Sequence, residues 1–291
     1  MCPAVKGPAL LVVSVLLFGI LDANSKVLAA EYSAAQAVLV RHAVLLALLL
    51  AARAVVPGTG GGLATRHPWL HLLRGLCMLG SGIGFYIAVR HMPLAMGYLV
   101  FFTAPFLILA LSALLLREAV PAAAWGWCGL GFVGVLLALL PQLGAGADWL
   151  GLGGAFFATL CYALNMIINR RLRAEQGFAR LLVWPGIICI LANAPFAAVH
   201  WVPPDAMDWL MLSVNGVLAG VAAVCLAHAF RHSAPARLAP FEYVALPWSV
   251  ALDYFVFGNV PGWPTLLGGA VVVAACVMSE RARSASTGRP G

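Results

Sequence analysis

The sequence predicts an all-α membrane protein: ten transmembrane helices arranged as two inverted five-helix repeats. Three observations predict it. Of 291 residues, 63% are hydrophobic and only 9% are charged, whereas soluble domains run near about 25% charged, so there are too few charges to cover a water-facing surface. The apolar residues fall into ten stretches, each close to the roughly 20 residues that a helix needs to cross hydrocarbon. A pair of prolines in the fourth stretch recurs at the same spacing in the ninth.

Helix 1 is expected at 8–29. It follows Lys6 and has the apolarity of a signal peptide. It is nevertheless over 20 residues long, polar near its end at Asp22, Asn24 and Lys26, and without a convincing cleavage site. Helices 2 and 3, at 34–55 and 69–90, are joined by the Gly-rich connection Pro57 to Pro68, which is expected to be flexible. Helix 3 carries Gly80, Gly82 and Gly84, small residues that allow close helix approach. Helix 4 at 93–116 contains Pro105, and helix 5 spans 121–141. Helices 6 and 7 follow at 150–170 and 178–200. Helix 8 at 209–231 has the G-x-x-x-G pair Gly216 and Gly220, helix 9 at 235–257 contains Pro247, and helix 10 runs over 262–280. The repeats are therefore 1–141 and 150–280, with 281–291 a cytoplasmic tail. The remaining connections are a few residues long and leave no room for a catalytic domain outside the bilayer.

Orientation follows from the basic residues, because cytoplasmic loops retain Lys and Arg. With the N terminus inside, Lys6, Arg53, Arg66, Arg74, Arg117, Arg170, Arg171, Arg173, Arg180, Arg231, Arg237, Arg281, Arg283 and Arg289 lie on or near the cytoplasmic side. Lys26, Arg41 and Arg90 lie toward the exterior, with the acidic loop residues Asp148, Asp205 and Asp208. The expected location is the cell inner membrane, multi-pass, with both termini cytoplasmic. The net charge of +7 is thus a topology signal and not a nucleic-acid footprint, since the basic residues sit between apolar segments and form no face of their own. The seven cysteines show no C-x-x-C spacing, and all but Cys2 lie in apolar stretches, so they read as packing residues.

Pro93 and Pro105 stand twelve residues apart, as do Pro235 and Pro247, and the two pairs are displaced by 142. Arg90-His91 before the first pair resembles Arg231-His232 before the second, and Val120-Pro121 after it resembles Val260-Pro261. Five crossings per half is an odd number, so the second half enters from the opposite side and lies inverted. Inverted repeats packed around a central site are a recurring transporter architecture.

Several motifs then occur in order: Phe18-Gly19 followed by Lys26 and Arg41, Tyr86 before Pro93, Pro105 before Glu118, and Ala245-Leu246-Pro247 running to Phe257-Gly258-Asn259. In these the chain resembles the drug/metabolite transporter superfamily, specifically its EamA-type branch with ten helices. The resemblance covers nearly the whole chain. One departure is Asn259, which stands where an acidic residue usually closes helix 9, while its first-half counterpart remains as Glu118.

A charge at the centre of a membrane helix costs about 2.5 to 3.5 kcal/mol on insertion scales, so each one must be paired, water-exposed or near an interface. Asp22 and Lys26, four apart on one face with the acid first, suit a local ion pair. Arg41 on the same side leaves that group one surplus positive charge, suited to a carboxylate or phosphate. Asn24 and Asn165 lie on the first helices of the two repeats, where either substrate contacts or helix-helix hydrogen bonds form. Glu242 and Asp253 on helix 9 share a face about 16 Å apart, with Leu246 and Ser249 between them. Glu242 lies far enough into the helix for desolvation to let it exchange a proton or a cationic substrate group.

His228 either titrates near neutral pH or caps a packed interface. Tyr86, Tyr98, Tyr162, Tyr243 and Trp248 are candidates for a cavity wall, each with packing as the alternative. Trp69, Trp201, Trp209 and Trp263 fall at helix ends and read as interfacial anchors. Pro105 and Pro247 each remove a mid-helix hydrogen bond and permit a bend suited to a gate.

No H-E-x-x-H, G-x-S-x-G or His/Asp-rich metal motif occurs, so neither an enzyme nor a cofactor or metal site is expected. The reading is a secondary transporter working by alternating access. The resemblance implies export of an amino acid or amino-acid-derived compound, including an opine-type metallophore, or, as the alternative, uptake of riboflavin or S-adenosylmethionine. The expected partners are a small-molecule substrate and the lipid bilayer. Proton coupling or simple exchange, and monomer or homodimer, stay open.

Overall fold

The computed structural model describes residues 3–117, 122–143, 148–172, 175, 178–232, 241–242 and 244–287. Glu118, Val120, Pro121, Pro235 and the candidate Tyr243 lie outside the described residues, as does the side chain of Pro105. Among the described residues the regular elements are helices: α1 (Pro3–Leu28), α2 (Ala34–Val55), α3 (Pro68–His91), α4 (Leu94–Phe101), α5 (Ala104–Leu116), α6 (Ala122–Leu143), α7 (Trp149–Arg171), α8 (Phe178–Val199), α9 (Ala206–His232), α10 (Ala245–Phe257) and α11 (Trp263–Thr287). Seven are long and apolar enough to cross a membrane, counting α4 and α5 as one span, Leu94–Leu116, and three shorter apolar helices lie within α6, α10 and α11. These are the ten segments that hydropathy anticipates. The last helix continues through Thr287, so much of the expected tail is helical.

Local chemistry sets the helix ends. Ser33 precedes α2 and accepts a hydrogen bond from Gln36 N–H at 3.2 Å, satisfying one of the orphan donors of a first turn. Asp148 precedes α7 and accepts from Leu150 and Gly151 N–H at 3.2 and 3.1 Å. The Gly151 N–H, and then the His91 ring 2.6 Å away, hold the Asp148 carboxyl below its ordinary range.

The fourth segment is not the continuous bent helix expected from Pro105. It breaks at Phe102–Thr103 and starts again as α5, with Pro105 in the new first turn. Proline has no N–H to donate to the carbonyl four residues earlier, and in a first turn that donor is not required. Pro247 likewise stands in the first turn of α10 and not in mid-helix. In both halves the helix therefore restarts at the proline.

The packing obeys an exchange rule. Moving each segment five places on converts the α1–α9 pair into α7–α3 and the α2–α9 pair into α8–α3, and it returns α2–α8, α6–α11 and α4–α10 to themselves. Polar contacts follow the same exchange. Asn24 on α1 donates to Asn215 on α9 at 2.9 Å, and Arg74 on α3 donates to Asn165 on α7 at 3.1 Å. Both members of the second pair lie 141 residues from their counterparts, since 165 − 24 and 215 − 74 are each 141.

Several close helix crossings need glycine. A Cβ on Gly84 would lie 2.8 Å from the Gly154 carbonyl oxygen, and one on Gly134 would lie 2.9 Å from that of Gly268. Gly216 similarly meets the Arg41 carbonyl, whereas Gly220 has nothing closer than 4.0 Å, so the expected G-x-x-x-G contact uses one glycine only.

One end of the bundle carries Lys26, Asp148 and Asp205, and the other carries Arg53, Arg171 and Glu175. At the Arg53 end the Gly-rich connection, expected to be flexible, is pinned. Gly61 O accepts from Arg53 at 2.8 Å, Gly60 O from Ala179 N–H at 3.1 Å, and Leu63 O from Trp184 at 2.8 Å. Glu175 accepts from Thr65 Oγ1 at 2.8 Å, Arg66 N–H at 3.0 Å and His71 Nε2 at 3.0 Å, with Arg180 at 3.4 Å. Burial alone would raise the Glu175 carboxyl. The donors from His71, Arg66 and Thr65, with the Arg180 charge, outweigh it and bring the pKa down to about 2.

Because the folded pKa lies below the ordinary 4.5, this clasp contributes stability above that value and loses it as pH falls toward about 2. Glu175→Gln is expected to lower the melting temperature of detergent-purified protein at pH 7, with the difference from wild type vanishing at the acid end of the scan. Gly134→Leu is expected to cost roughly 1–3 kcal/mol or more by overpacking, read as loss of the monodisperse peak in size-exclusion chromatography. Gly153→Ala, with nothing within 4 Å of the added atom, leaves that peak unchanged.

Candidate functional site

The site begins with a charge that cannot avoid hydrocarbon. Asp22 lies six residues from the end of α1, and its Oδ2 accepts a hydrogen bond from Tyr98 Oη at 2.6 Å. Tyr98 sits on the last full turn of α4, just before the break at Phe102–Thr103. Arg41 on α2 lies within electrostatic range of Asp22, and its Nε is buried without a hydrogen-bond partner. One of its terminal nitrogens donates to Ser25 Oγ at 2.9 Å. Asn215 Nδ2 donates to the same hydroxyl at 3.1 Å, and Asn24 donates in turn to Asn215 and to the Met211 carbonyl at 2.8 Å.

From Tyr98 a run of aromatic rings leads away from Asp22. Phe85 meets Tyr98 edge-on with centroids 5.5 Å apart, Phe101 meets Phe85 at 5.7 Å, and Tyr162 on α7 meets Phe101 at 4.8 Å. Glu242 lies within electrostatic range of Tyr162. Two half-buried carboxylates from opposite halves of the chain, Asp22 and Glu242, thus stand at the two ends of an aromatic wall. Such a wall stacks on planar or apolar groups, while each acid suits a cationic group. Phe85 and Phe101 were not among the sequence candidates, because a phenylalanine in an apolar helix carries no signal of its role.

The structure redistributes the other candidates. Lys26 does not pair with Asp22 on its own helix. Its Nζ bonds the Met92 carbonyl at 3.0 Å, meets Asp253 Oδ1 at 3.4 Å and lies over the Phe257 ring at 4.7 Å. Asp253, 2% exposed, also accepts from Leu94 and Ala95 N–H at 3.0 and 2.7 Å, and so caps the first turn of α4. The i, i+4 spacing is real, but a buried carboxylate that already gathers two backbone donors and has room for a lysine outcompetes the local partner.

Asn24 and Asn165 are used for the helix-helix hydrogen bonds described above. Tyr86 is buried in a cluster with Leu28, Tyr32 and Leu212, and its hydroxyl donates to Tyr32 O at 3.2 Å, so it lies away from the aromatic wall. Trp248 packs on Gly19, where a Cβ would collide with the indole, and its Nε1 donates to Leu16 O at 3.1 Å. It seats α10 on α1. His228 is half-buried on α9 near the Arg53 end. Among the described residues no group of His, Cys, Asp and Glu could hold a metal ion.

Comparison with known proteins places this architecture. Residues 149–280 match the family described as the EamA-like transporter family. The chain is 25% identical over 213 residues to an S-adenosylmethionine uptake transporter of Rickettsia conorii, covering 72% of this chain and 71% of that protein. It is 25% identical over 281 residues to a pseudopaline exporter of Pseudomonas aeruginosa, covering 96% and 97% of the two chains. It is 28% identical over 220 residues to a riboflavin transporter of Vibrio cholerae, covering 74% and 72%. A chain of known crystal structure superposes with a TM-score of 0.68 at 18% identity, covering 96% of this chain and 98% of that one. With an EamA-like transporter match over residues 149–280 and similarity along the chain to bacterial metabolite carriers, the chain is a multi-pass membrane protein that acts as a secondary transporter of small metabolites.

Proposed function

We propose that the protein exports a small zwitterionic metabolite, an amino acid or an amino-acid-derived compound of the opine type, across the inner membrane by alternating access. The observation that carries this reading is the pair of carboxylates, Asp22 and Glu242, joined by the aromatic wall from Tyr98 to Tyr162, with the Arg41 guanidinium beside Asp22. A substrate amine meets either acid, its carbon frame lies on the rings, and its carboxylate is drawn to Arg41. The similarity to a pseudopaline exporter over nearly the whole of both chains supports export.

In this reading the Arg53 end and both termini face the cytoplasm, and 1–141 and 150–280 are the two inverted repeats that rock against each other. The two carboxylates are also the groups that a proton-coupled cycle would load and unload. One chain encloses the pathway, so a monomer suffices. The second reading is uptake of a cationic or planar metabolite, favoured by the similarity to S-adenosylmethionine and riboflavin carriers. The same acids and rings would receive a sulfonium or a flavin.

Metabolite profiling of cells and medium with the gene deleted distinguishes the two. A compound lost from the medium supports export, and one depleted inside the cells supports uptake. Transport of that compound into proteoliposomes, with and without a pH gradient, then tests coupling. Asp22→Asn and Glu242→Gln are each expected to lower this transport by roughly tenfold or more while folded protein remains in the membrane. Wild-type rates for both variants would remove the carboxylates from the mechanism. Tyr98→Phe is expected to cost less, on the order of a few-fold, because it removes one hydrogen bond and keeps the ring.

A further inference from the structure

Lys26 follows one carboxylate, Asp22, by one helical turn on α1 and pairs with another. Its present partner, Asp253, comes from α10 in the other half of the chain, and through Leu94 and Ala95 N–H that carboxylate also holds α4. Three chain segments are tied at the Lys26 end: the end of α1, the start of α4 and the end of α10. The α4 piece packs on both α10 and α7 and so bridges the two halves, while the α5 piece packs on α7. The ties through Asp253 hold the Lys26 end shut.

Opening that end must pull α10 away from α1 and α4, and it leaves Lys26 without its acid. Asp22 lies four residues earlier on the same helix face, in the favourable order of acid before base. Tyr98 occupies only Oδ2 of Asp22, which leaves Oδ1 for an ammonium group.

Resting on the transporter reading above, we propose that Lys26 is a two-position switch, paired with Asp253 while the exterior end is shut and with Asp22 when it is open, so that Lys26 displaces a cationic substrate group from Asp22 on the exterior side. The switch keeps the lysine charge compensated in both arrangements, as near-equal energies require. It also gives release a direction. A substrate ammonium group binds Asp22 from the cytoplasm while Lys26 is engaged elsewhere, and it meets an intramolecular competitor at the moment the exterior end opens. Asp253, left behind on α10, is then bathed by the water that enters the mouth.

The test uses the full-length protein, freed of its seven cysteines, with Ala95→Cys as a reporter beside the shut mouth. Labelling by a membrane-impermeant thiol reagent from the exterior reads opening without requiring any transported compound. Asp253→Asn is expected to raise labelling by roughly tenfold. Adding Asp22→Asn to Asp253→Asn is expected to bring it back down severalfold, because the open arrangement then has no acid for Lys26. Labelling unchanged by Asp253→Asn, or unchanged by the added Asp22→Asn, overturns the switch even where the substrate reading holds.

Lys26→Met separates a switch from a simple clasp. With Lys26→Met and Asp253→Asn combined, Asp22 has no ammonium group to receive, so adding Asp22→Asn is expected to leave labelling unchanged. A severalfold fall there, as large as with Lys26 present, would show that Asp22 acts without Lys26 and that Lys26 only clasps. Absence of transport by the parent chain itself would count against the proposed substrate and leave the labelling results to decide on the switch.

Discussion

Hydrocarbon forms no hydrogen bonds, so every polar atom within the ten segments must find its partner inside the protein or at a wetted surface. This constraint organises the bundle more than apolar packing does, because lipid competes equally well for apolar side chains. The buried Asp253 shows the consequence. One carboxylate takes two backbone N–H groups and a lysine, and in doing so joins α1, α4 and α10 at one end. At the other end Glu175 gathers Thr65, Arg66, His71 and Arg180, and ties a Gly-rich connection to the start of α8.

The two halves obey a common exchange rule in their backbone contacts but differ in charge. Asn24 with Asn215 and Asn165 with Arg74 occupy equivalent places, and one member is an arginine in one pair only. The Lys26–Asp253 contact likewise breaks the symmetry, since the residue 141 beyond Lys26 is Ile167. The packing pairs exchange between the halves, whereas the side chains at equivalent places do not.

Much of this was legible in the residues because periodicity and composition are local properties. Ten apolar segments and the membrane cost of Asp22, Asn24 and Glu242 follow from the chain read in one dimension, whereas Pro105 and Pro247 stand in first turns and not at the mid-helix bends expected of them. Two local inferences failed for the same reason. The i, i+4 pair of Asp22 and Lys26 gave way to a partner 227 residues away, and the flexible glycine-rich connection is held by residues more than a hundred positions further on. Tyr86 and Trp248, candidates for a cavity wall by residue type, are committed to packing by neighbours that spacing alone does not reveal.

The sequence by itself determined the solvent of the fold, its ten apolar segments and the short list of charges that hydrocarbon makes expensive, because each depends on composition or period. Only the tertiary structure decided which of those charges meet. Asp22 faces Tyr98 and the aromatic wall, Lys26 crosses to Asp253, and Phe85 and Phe101 become part of a surface between two acids. Side-chain pairing across helices depends on their rotation and register, and these are set by close contacts such as Gly84 on Gly154 and Gly134 on Gly268, which no single segment of the chain contains.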